Sequence, residues 1–298
     1  MIKGAAACLA GLGAAVVAGA WVEARAFHVV RHEVPLPVAT GWRIMHLSDT
    51  HYQRGQRTKA AFLASLAGWR PDLVVVTGDM VADDTAFDEY LTALGGMLAC
   101  PGVFVRGSND YFGPTPVNPF KYLPGVPKQK PWRVGAPLNW QRLRDELLAV
   151  GWHDLDNSRV QVEVAGNLVE LRGTDDAHIN LDDYAAGATS QITGEPDVII
   201  GVTHAPYRRV LAQMAADGVE LALAGHTHGG QIGLPGRPLV SNCDLPPTMA
   251  KGLHRWADAP GGPSLWLHVT AGVGTSPRFP LRLFSRPEAC LIEVTPPC

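Results

Sequence analysis

Short apolar runs recur along this chain, and five of them stop at residues able to bind a cation. Arg43-Ile44-Met45-His46-Leu47 leads into Asp49-Thr50-His51, and Asp72-Leu73-Val74-Val75-Val76-Thr77 leads into Gly78-Asp79. Gly102-Val103-Phe104-Val105-Arg106 precedes Gly107-Ser108-Asn109-Asp110. Asp197-Val198-Ile199-Ile200-Gly201-Val202-Thr203 precedes His204. Val219-Glu220-Leu221-Ala222-Leu223-Ala224 precedes Gly225-His226-Thr227-His228-Gly229-Gly230-Gln231. Runs of this length without alternation read as strands buried on both faces.

Segments of helical spacing lie between the runs. Phe62, Leu63, Leu66 and Trp69 share one side of a helix over 56–69 that stops before Pro71, and Phe87, Leu91, Leu94 and Leu98 do the same over 84–98. Further helices are expected over 138–150 and 207–217. Strand-helix alternation predicts a parallel α/β sheet, and ligands of such sheets gather at the carboxyl ends of the strands. A strand is expected over 27–34. Val160–Val164 and Leu168–Arg172 flank Ala165-Gly166-Asn167 as a hairpin. Strands over 264–270 and 289–294 are expected in a sheet packed against the first. Residues 111–137 and 232–252 are long, proline-containing loops. The first carries Lys121, Lys128, Lys130 and Arg133 beside Phe112, Phe120, Tyr122 and Leu123, and reads as a substrate loop or as a solvated insertion.

The amino-terminal stretch Gly4 to Val22 is nearly all Ala, Gly, Val and Leu. As a helix it would be about 28 Å long, enough for the hydrocarbon core of a bilayer. It reads as an uncleaved anchor, as a signal peptide with Ala18-Gly19-Ala20 at its cleavage site, or as a buried helix. The layout expected is a transmembrane signal anchor or signal peptide over 1–24, a linker over 25–41 and the catalytic domain over 42–298. That implies a single-pass membrane protein with its domain outside the cytoplasm, or a secreted one if the signal is cleaved.

At 298 residues the chain can bury one large core. The formal charge of −3 gives no support to nucleic-acid binding. Five scattered cysteines without Cys-x-x-Cys argue against a cysteine zinc site, although Cys243 and Cys290 could pair.

The candidate ligands are Asp49, His51, Asp79, Asn109, His204, His226 and His228. Oxygen and imidazole donors without thiolate suit Mn, Fe, Zn or Co. Seven groups exceed one tetrahedral centre but fit two divalent ions sharing one carboxylate, with Asp79 as the natural bridge. Two such ions can hold a hydroxide between them and stabilise the oxygens of a phosphoryl group in the transition state. Asp175, Asp176 and His178 are polar groups at another strand end, either near the site or in turn and cap roles. His46, His153, His254 and His268 read as structural. Arg106 could meet a phosphate or form a strand-end salt bridge.

Asp49-x-His51, Gly78-Asp79, Gly107-Ser108-Asn109-Asp110, His204 and Gly225-His226-Thr227-His228, in this order, resemble the calcineurin-like metallophosphoesterase family. The amino-terminal segment and Gly229-Gly230-Gln231 are most similar to its membrane- or envelope-associated bacterial branch. The resemblance implies a four-layer α/β/β/α sandwich of two mixed sheets flanked by helices, preceded by the amino-terminal hydrophobic helix. It implies that Asp49, His51 and His228 hold one metal, that Asn109, His204 and His226 hold the other, and that Asp79 bridges them. The family has Gly-Asn-His-Asp or Gly-Asn-His-Glu where this chain has Gly107-Ser108-Asn109-Asp110. Either Ser108 or Asn109 is then the ligand, with Asn109 favoured because an amide oxygen binds a hard cation better than a neutral hydroxyl. In both registers the usual histidine acid is missing, and Asp110 or His178 is the candidate proton donor. The function expected is hydrolysis of phosphoesters, phosphodiester or lipid-linked, with a membrane as partner. Non-catalytic scaffolding and broad nucleotide phosphodiesterase activity are the competing readings.

Overall fold

A computed structural model describes residues 2–115, 135–185, 194–276 and 278–297, with the backbone alone for 2–10. The helices are α1 (Ile2–Glu23), α2 (Arg57–Ser65), α3 (Phe87–Leu94), α4 (Ser108–Tyr111), α5 (Trp140–Ala149) and α6 (Arg208–Ala216). The strands in the first half are β1 (His28–Pro35), β2 (Trp42–Leu47), β3 (Leu73–Thr77), β4 (Gly102–Val105), β5 (His153–Asp154), β6 (Arg159–Val164) and β7 (Asn167–Gly173). Those in the second half are β8 (Val198–Thr203), β9 (Leu221–Ala224), β10 (Gly233–Leu234), β11 (Arg237–Pro238), β12 (Gly252–Ala257), β13 (Ser264–Val269) and β14 (Glu288–Thr295).

Two mixed six-stranded sheets pack face to face, in the orders β1-β14-β2-β3-β4-β5 and β12-β13-β9-β8-β7-β6. Alternation along each strand divides its side chains between two cores. Ile44, Val75, Val103 and Val105 of the first sheet meet Leu171, Ile200, Val202 and Leu223 of the second. Met45, Leu47, Val74 and Val76 point the other way, onto Phe87, Leu94, Leu143 and Leu147 of the helices. On the far side of the second sheet, Ala222, Leu265 and Leu267 pack on Val210, Leu211 and Met214 of α6. Four layers follow, and burial on both faces explains why β3 reads as an unbroken apolar run.

Several expectations shift. The 160s hairpin forms, with Ala165 at φ 50° and Gly166 at φ 79° in its turn. The late strands separate: β13 joins the second sheet, but β14 inserts between β1 and β2 in the first. Strand β12 pairs antiparallel to β13 at a sheet edge and has no clear apolar signature in the sequence. Part of the stretch read as a linker is β1, an edge strand parallel to β14. Residues 116–134 of the first long loop lie outside the described residues. Among the cysteines with described side chains, Cys100, Cys243 and Cys290 are free thiols; Cys290 is buried with its Sγ 3.5 Å from Thr270 Oγ1.

The membrane reading is overturned. Among the described residues no helix is long and apolar enough to cross a membrane. Ala and Gly dominate α1 and contribute little transfer free energy per residue. Its carboxyl-terminal end is tied to the sandwich: the Ala20 carbonyl accepts the Arg282 N–H (3.0 Å), and the Glu23 carboxylate accepts the Ser285 N–H (2.7 Å). Membrane passage and the location derived from it therefore fall.

Candidate metal centre

The five signature loops leave the carboxyl ends of β2, β3 and β4 in one sheet and β8 and β9 in the other. Within each sheet these strands run parallel, so their ends open on a common edge. Hydrogen bonds then tie the two sets of loops together. The His226 N–H donates to Asp49 Oδ2 (2.9 Å), and His204 Nδ1 donates to the Thr77 carbonyl (2.6 Å). Two groups of ligand atoms result, each within 4.8 Å: Asp49, His51 and His228, and Asp49, Asp79 and His204. Asp79 Oδ2 lies 3.5 Å from His51 Nε2 and 3.5 Å from His204 Nε2.

The backbone is strained at these residues. Asp49 (φ 48°), His51 (φ 38°), Asp79 (φ 53°), His226 (φ 68°) and His228 (φ 50°) are all left-handed. Such a conformation costs about 1–2 kcal/mol for a residue with a Cβ and concentrates at functional sites. Space is cleared by glycine where the backbone passes closest. A Cβ on Gly107 would overlap Asp79 Oδ1 and stand 2.7 Å from His204 Nε2; one on Gly225 would stand 2.6 Å from Asp49 Oδ2.

The residues fit a pair of cations. Asp49 Oδ1 and His204 Nε2 are buried without a hydrogen-bond partner. Each faces the cluster: Oδ1 lies 3.6 Å from His228 Nε2, and His204 Nε2 faces Asp79. His51 Nε2 and His228 Nε2 are 3.3 Å apart. Two imidazole nitrogens about 2.1 Å from one tetrahedral cation would be about 3.4 Å apart. Burial holds His51 down at about 4 and His228 and His226 well below the ordinary histidine range, so their rings are neutral and have lone pairs to give. Burial raises Asp49 to about 6, against the pull of His204. Burial works against charge on His204, but Asp79, Asp176 and Asp49 push it up to about 10. A field that retains a proton there also favours a dication.

Asn109 and His226 join the cluster from its margin. The Asn109 amide meets Asp79 Oδ2 at 2.7 Å, and its N–H donates to Asp79 Oδ1 (2.9 Å). From this segment it is Asn109, not Ser108, that reaches Asp79. The His226 ring packs on His204 at 5.1 Å and on His178 at 4.4 Å, with Nε2 3.2 Å from the Asn242 carbonyl. His178 is half-buried at the rim, its Nδ1 3.0 Å from Tyr207 Oη.

Asp110 is held in backbone contacts. Read as a candidate proton donor, it is buried and accepts the N–H groups of Asp79 (2.7 Å), Met80 (2.8 Å) and Gly107 (2.9 Å). It clamps the β3 and β4 loops together. Asp110→Asn removes the charge and sets an NH₂ against backbone donors. A loss of about 2–4 kcal/mol is expected in urea unfolding of the metal-free protein. Arg106 likewise is committed: it pairs with Asp154 (3.2 Å) and with Asp156, and donates to Tyr111 Oη (2.9 Å). Asp175 accepts the Tyr111 hydroxyl (2.8 Å), and Asp176 accepts the His178 N–H (2.8 Å), both turn and support roles.

Arg282 was not anticipated. Fully buried, it donates to the carbonyls of Ala271 (2.6 Å), Gly272 (3.1 Å) and His228 (3.3 Å) and so holds the His228 loop in place. One of two arginines between Pro280 and Pro287, it carries no sequence signal for that role.

A sequence model of the calcineurin-like phosphoesterase family matches residues 43–230. The chain belongs to that family. It is a metal-dependent phosphoesterase, a hydrolase of phosphoester bonds, in a family that uses a dinuclear centre of divalent ions. The phosphoesterase is 27% identical over 266 residues to the uncharacterized metallophosphoesterase YkoQ of Bacillus subtilis (strain 168), covering 87% of this chain and 86% of the other. It is 24% identical to the phosphodiesterase YaeI of Escherichia coli (strain K12), covering 90% and 88%. Among solved structures it is similar to a 5'-nucleotidase precursor from Thermus thermophilus, with 12% identity, a TM-score of 0.41, and coverage of 85% and 54%.

Proposed function

We propose that the phosphoesterase hydrolyses phosphodiesters. In this reading Asp49, His51 and His228 hold one cation, Asn109, His204 and His226 hold the other, and Asp79 is shared. The observation that carries it is the pair of buried, unpartnered atoms, Asp49 Oδ1 and His204 Nε2, facing one cluster. Similarity to the Escherichia coli phosphodiesterase YaeI supports the diester. Bound dications would supply Lewis acidity toward the phosphoryl oxygens and a water acidic enough to attack near neutral pH. Asp49 and Asp79 supply the negative charge that retains them, and Thr77 fixes the ring of His204 so that Nε2 faces inward.

His178 is the group we assign to the leaving oxygen. Its Nδ1 is held 3.0 Å from the Tyr207 hydroxyl, and a ring protonated on Nε2 would give that proton to the leaving oxygen. His178→Gln should slow an alkyl diester by about 10²-fold and an aryl diester by less than about threefold, because only the alkoxide needs protonation. Equal losses on both would exclude the role.

The assay is hydrolysis of bis(p-nitrophenyl) phosphate against p-nitrophenyl phosphate by Mn²⁺-loaded protein, with nucleotide and lipid-linked diesters as further arms. Preference for the diester supports the proposal. Metal-loaded but inert protein would support a scaffold. The lipid-linked substrate is the narrower class, supported in the sequence by the apolar and cationic residues of 111–137.

A further inference from the structure

Two histidines outside the cluster face each other across the sandwich. His46 continues the inward face of β2 after Trp42 and Ile44, and His268 continues the inward face of β13 after Trp266. Both are fully buried. Their Nδ1 atoms are 2.9 Å apart, one from each sheet, and His46 Nε2 lies 2.9 Å from Thr77 Oγ1.

One direction of the hydrogens satisfies the buried groups best. The Thr77 hydroxyl donates to the Leu47 carbonyl (3.4 Å), so Oγ1 receives the His46 Nε2–H. His46 Nδ1 is then a bare acceptor and takes the Nδ1–H of His268. His268 Nε2 is left without a proton, in keeping with its burial without a partner. An orphaned N–H there would be the rarer and costlier arrangement. Burial keeps both rings neutral, holding His46 at about 3 and His268 well below the ordinary range.

The chain of contacts ends on Thr77, and Thr77 touches both halves of the centre. Its carbonyl accepts His204 Nδ1 (2.6 Å) and lies 3.0 Å from Ser48 Oγ, which in turn lies 2.6 Å from Asp49 Oδ2. One peptide unit at the end of β3 therefore sets the ring plane of His204 and stands beside Ser48, whose one hydroxyl hydrogen is directed to Asp49 Oδ2. Partners of this kind, one contact removed from a ligand, are worth about 10–100-fold in metal affinity.

We infer that His46, braced by His268 from the opposite sheet, is a positioning residue for the metal centre, holding Thr77 so that His204 keeps the geometry that binds cations. This rests on the metal-centre reading above. It also gives the sandwich a role beyond burial, since the spacing of the two sheets is transmitted to the ligands through a pair of imidazoles.

The test separates the two ends of His46. In His46→Gln the amide nitrogen falls near the position of Nε2 and can still donate to Thr77. In His46→Asn the amide corresponds to Nδ1 and reaches His268 alone. Metal-free full-length protein is titrated with Co²⁺ against a chelating dye, and the visible absorption of the Co²⁺ complex is recorded. His46→Asn and His46→Leu should bind Co²⁺ about tenfold or more weakly, with a shifted spectrum. His46→Gln should stay within about threefold of the parent and keep its spectrum. If His46→Leu does not fold, the Gln and Asn variants alone decide, because both place one amide in the same cavity. Equal affinity in the Gln and Asn variants overturns the inference while parental Co²⁺ binding keeps the metal-centre reading. Failure of the parent to take up Co²⁺ overturns both.

Discussion

Asp79→Asn is expected to lower hydrolysis of bis(p-nitrophenyl) phosphate by about 10³-fold or more, with the fold intact by circular dichroism. Asp79 reaches both histidine sets, at 3.5 Å from His51 Nε2 and 3.5 Å from His204 Nε2, and takes the Asn109 amide at 2.7 Å. Burial alone would raise its pKa, yet His204, His51 and two hydrogen bonds from Asn109 hold it below the usual carboxylate range. It is thus ionised, and asparagine keeps its shape while removing the charge. About 4 kcal/mol of transition-state stabilisation corresponds to a 10³-fold change, and polarisation by bound metal is worth several kcal/mol. A variant within tenfold of the parent would show that the reaction does not run through this cluster.

Chelation should have a similar effect. EDTA treatment is expected to reduce turnover by more than about 10³-fold, and added Mn²⁺ should restore it. The pH dependence of metal uptake follows from His204. In the metal-free protein its ring is charged at neutral pH, with its pKa raised to about 10. A proton must leave before Nε2 can bind a cation, so Mn²⁺ affinity should rise about tenfold per pH unit between pH 7 and 9 for each proton released. Calorimetry in buffers of different ionisation enthalpy counts those protons. The stability term has the opposite sign. Charge on His204 stabilises the metal-free fold fully below pH 6.5, and that contribution fades as pH rises toward 10. Metal affinity that is flat over this range would remove His204 from the ligand set.

Three features of the site had no counterpart in residue patterns. Asp110 sits in the third motif, where a carboxylate can bind metal, donate a proton or clamp a loop; only its three backbone N–H partners distinguish these. His46 and His268 are 222 positions apart, and each alone is an ordinary strand histidine. Their pairing depends on the distance between the two sheets. The left-handed backbone at Asp49, Asp79 and His226 is likewise invisible in residue identity, because these types adopt φ > 0 only when surrounding contacts impose it.

By itself the sequence determined the strand-and-helix alternation, the five polar loops and the kind of donor each one offers. These are local properties: an unbroken apolar run such as Leu73–Val76 needs burial on both faces whatever its partners. Strand order is not local. The insertion of β14 between β1 and β2, the edge strand β12 and the packing of α1 on Arg282 and Ser285 each depend on a competition among distant surfaces for the same backbone groups. Tertiary structure alone decided which donors share a cluster. Asp49 and Asp79 come from one sheet and His204 and His228 from the other, and they meet because inter-sheet burial brings the two sets of carboxyl ends to one edge.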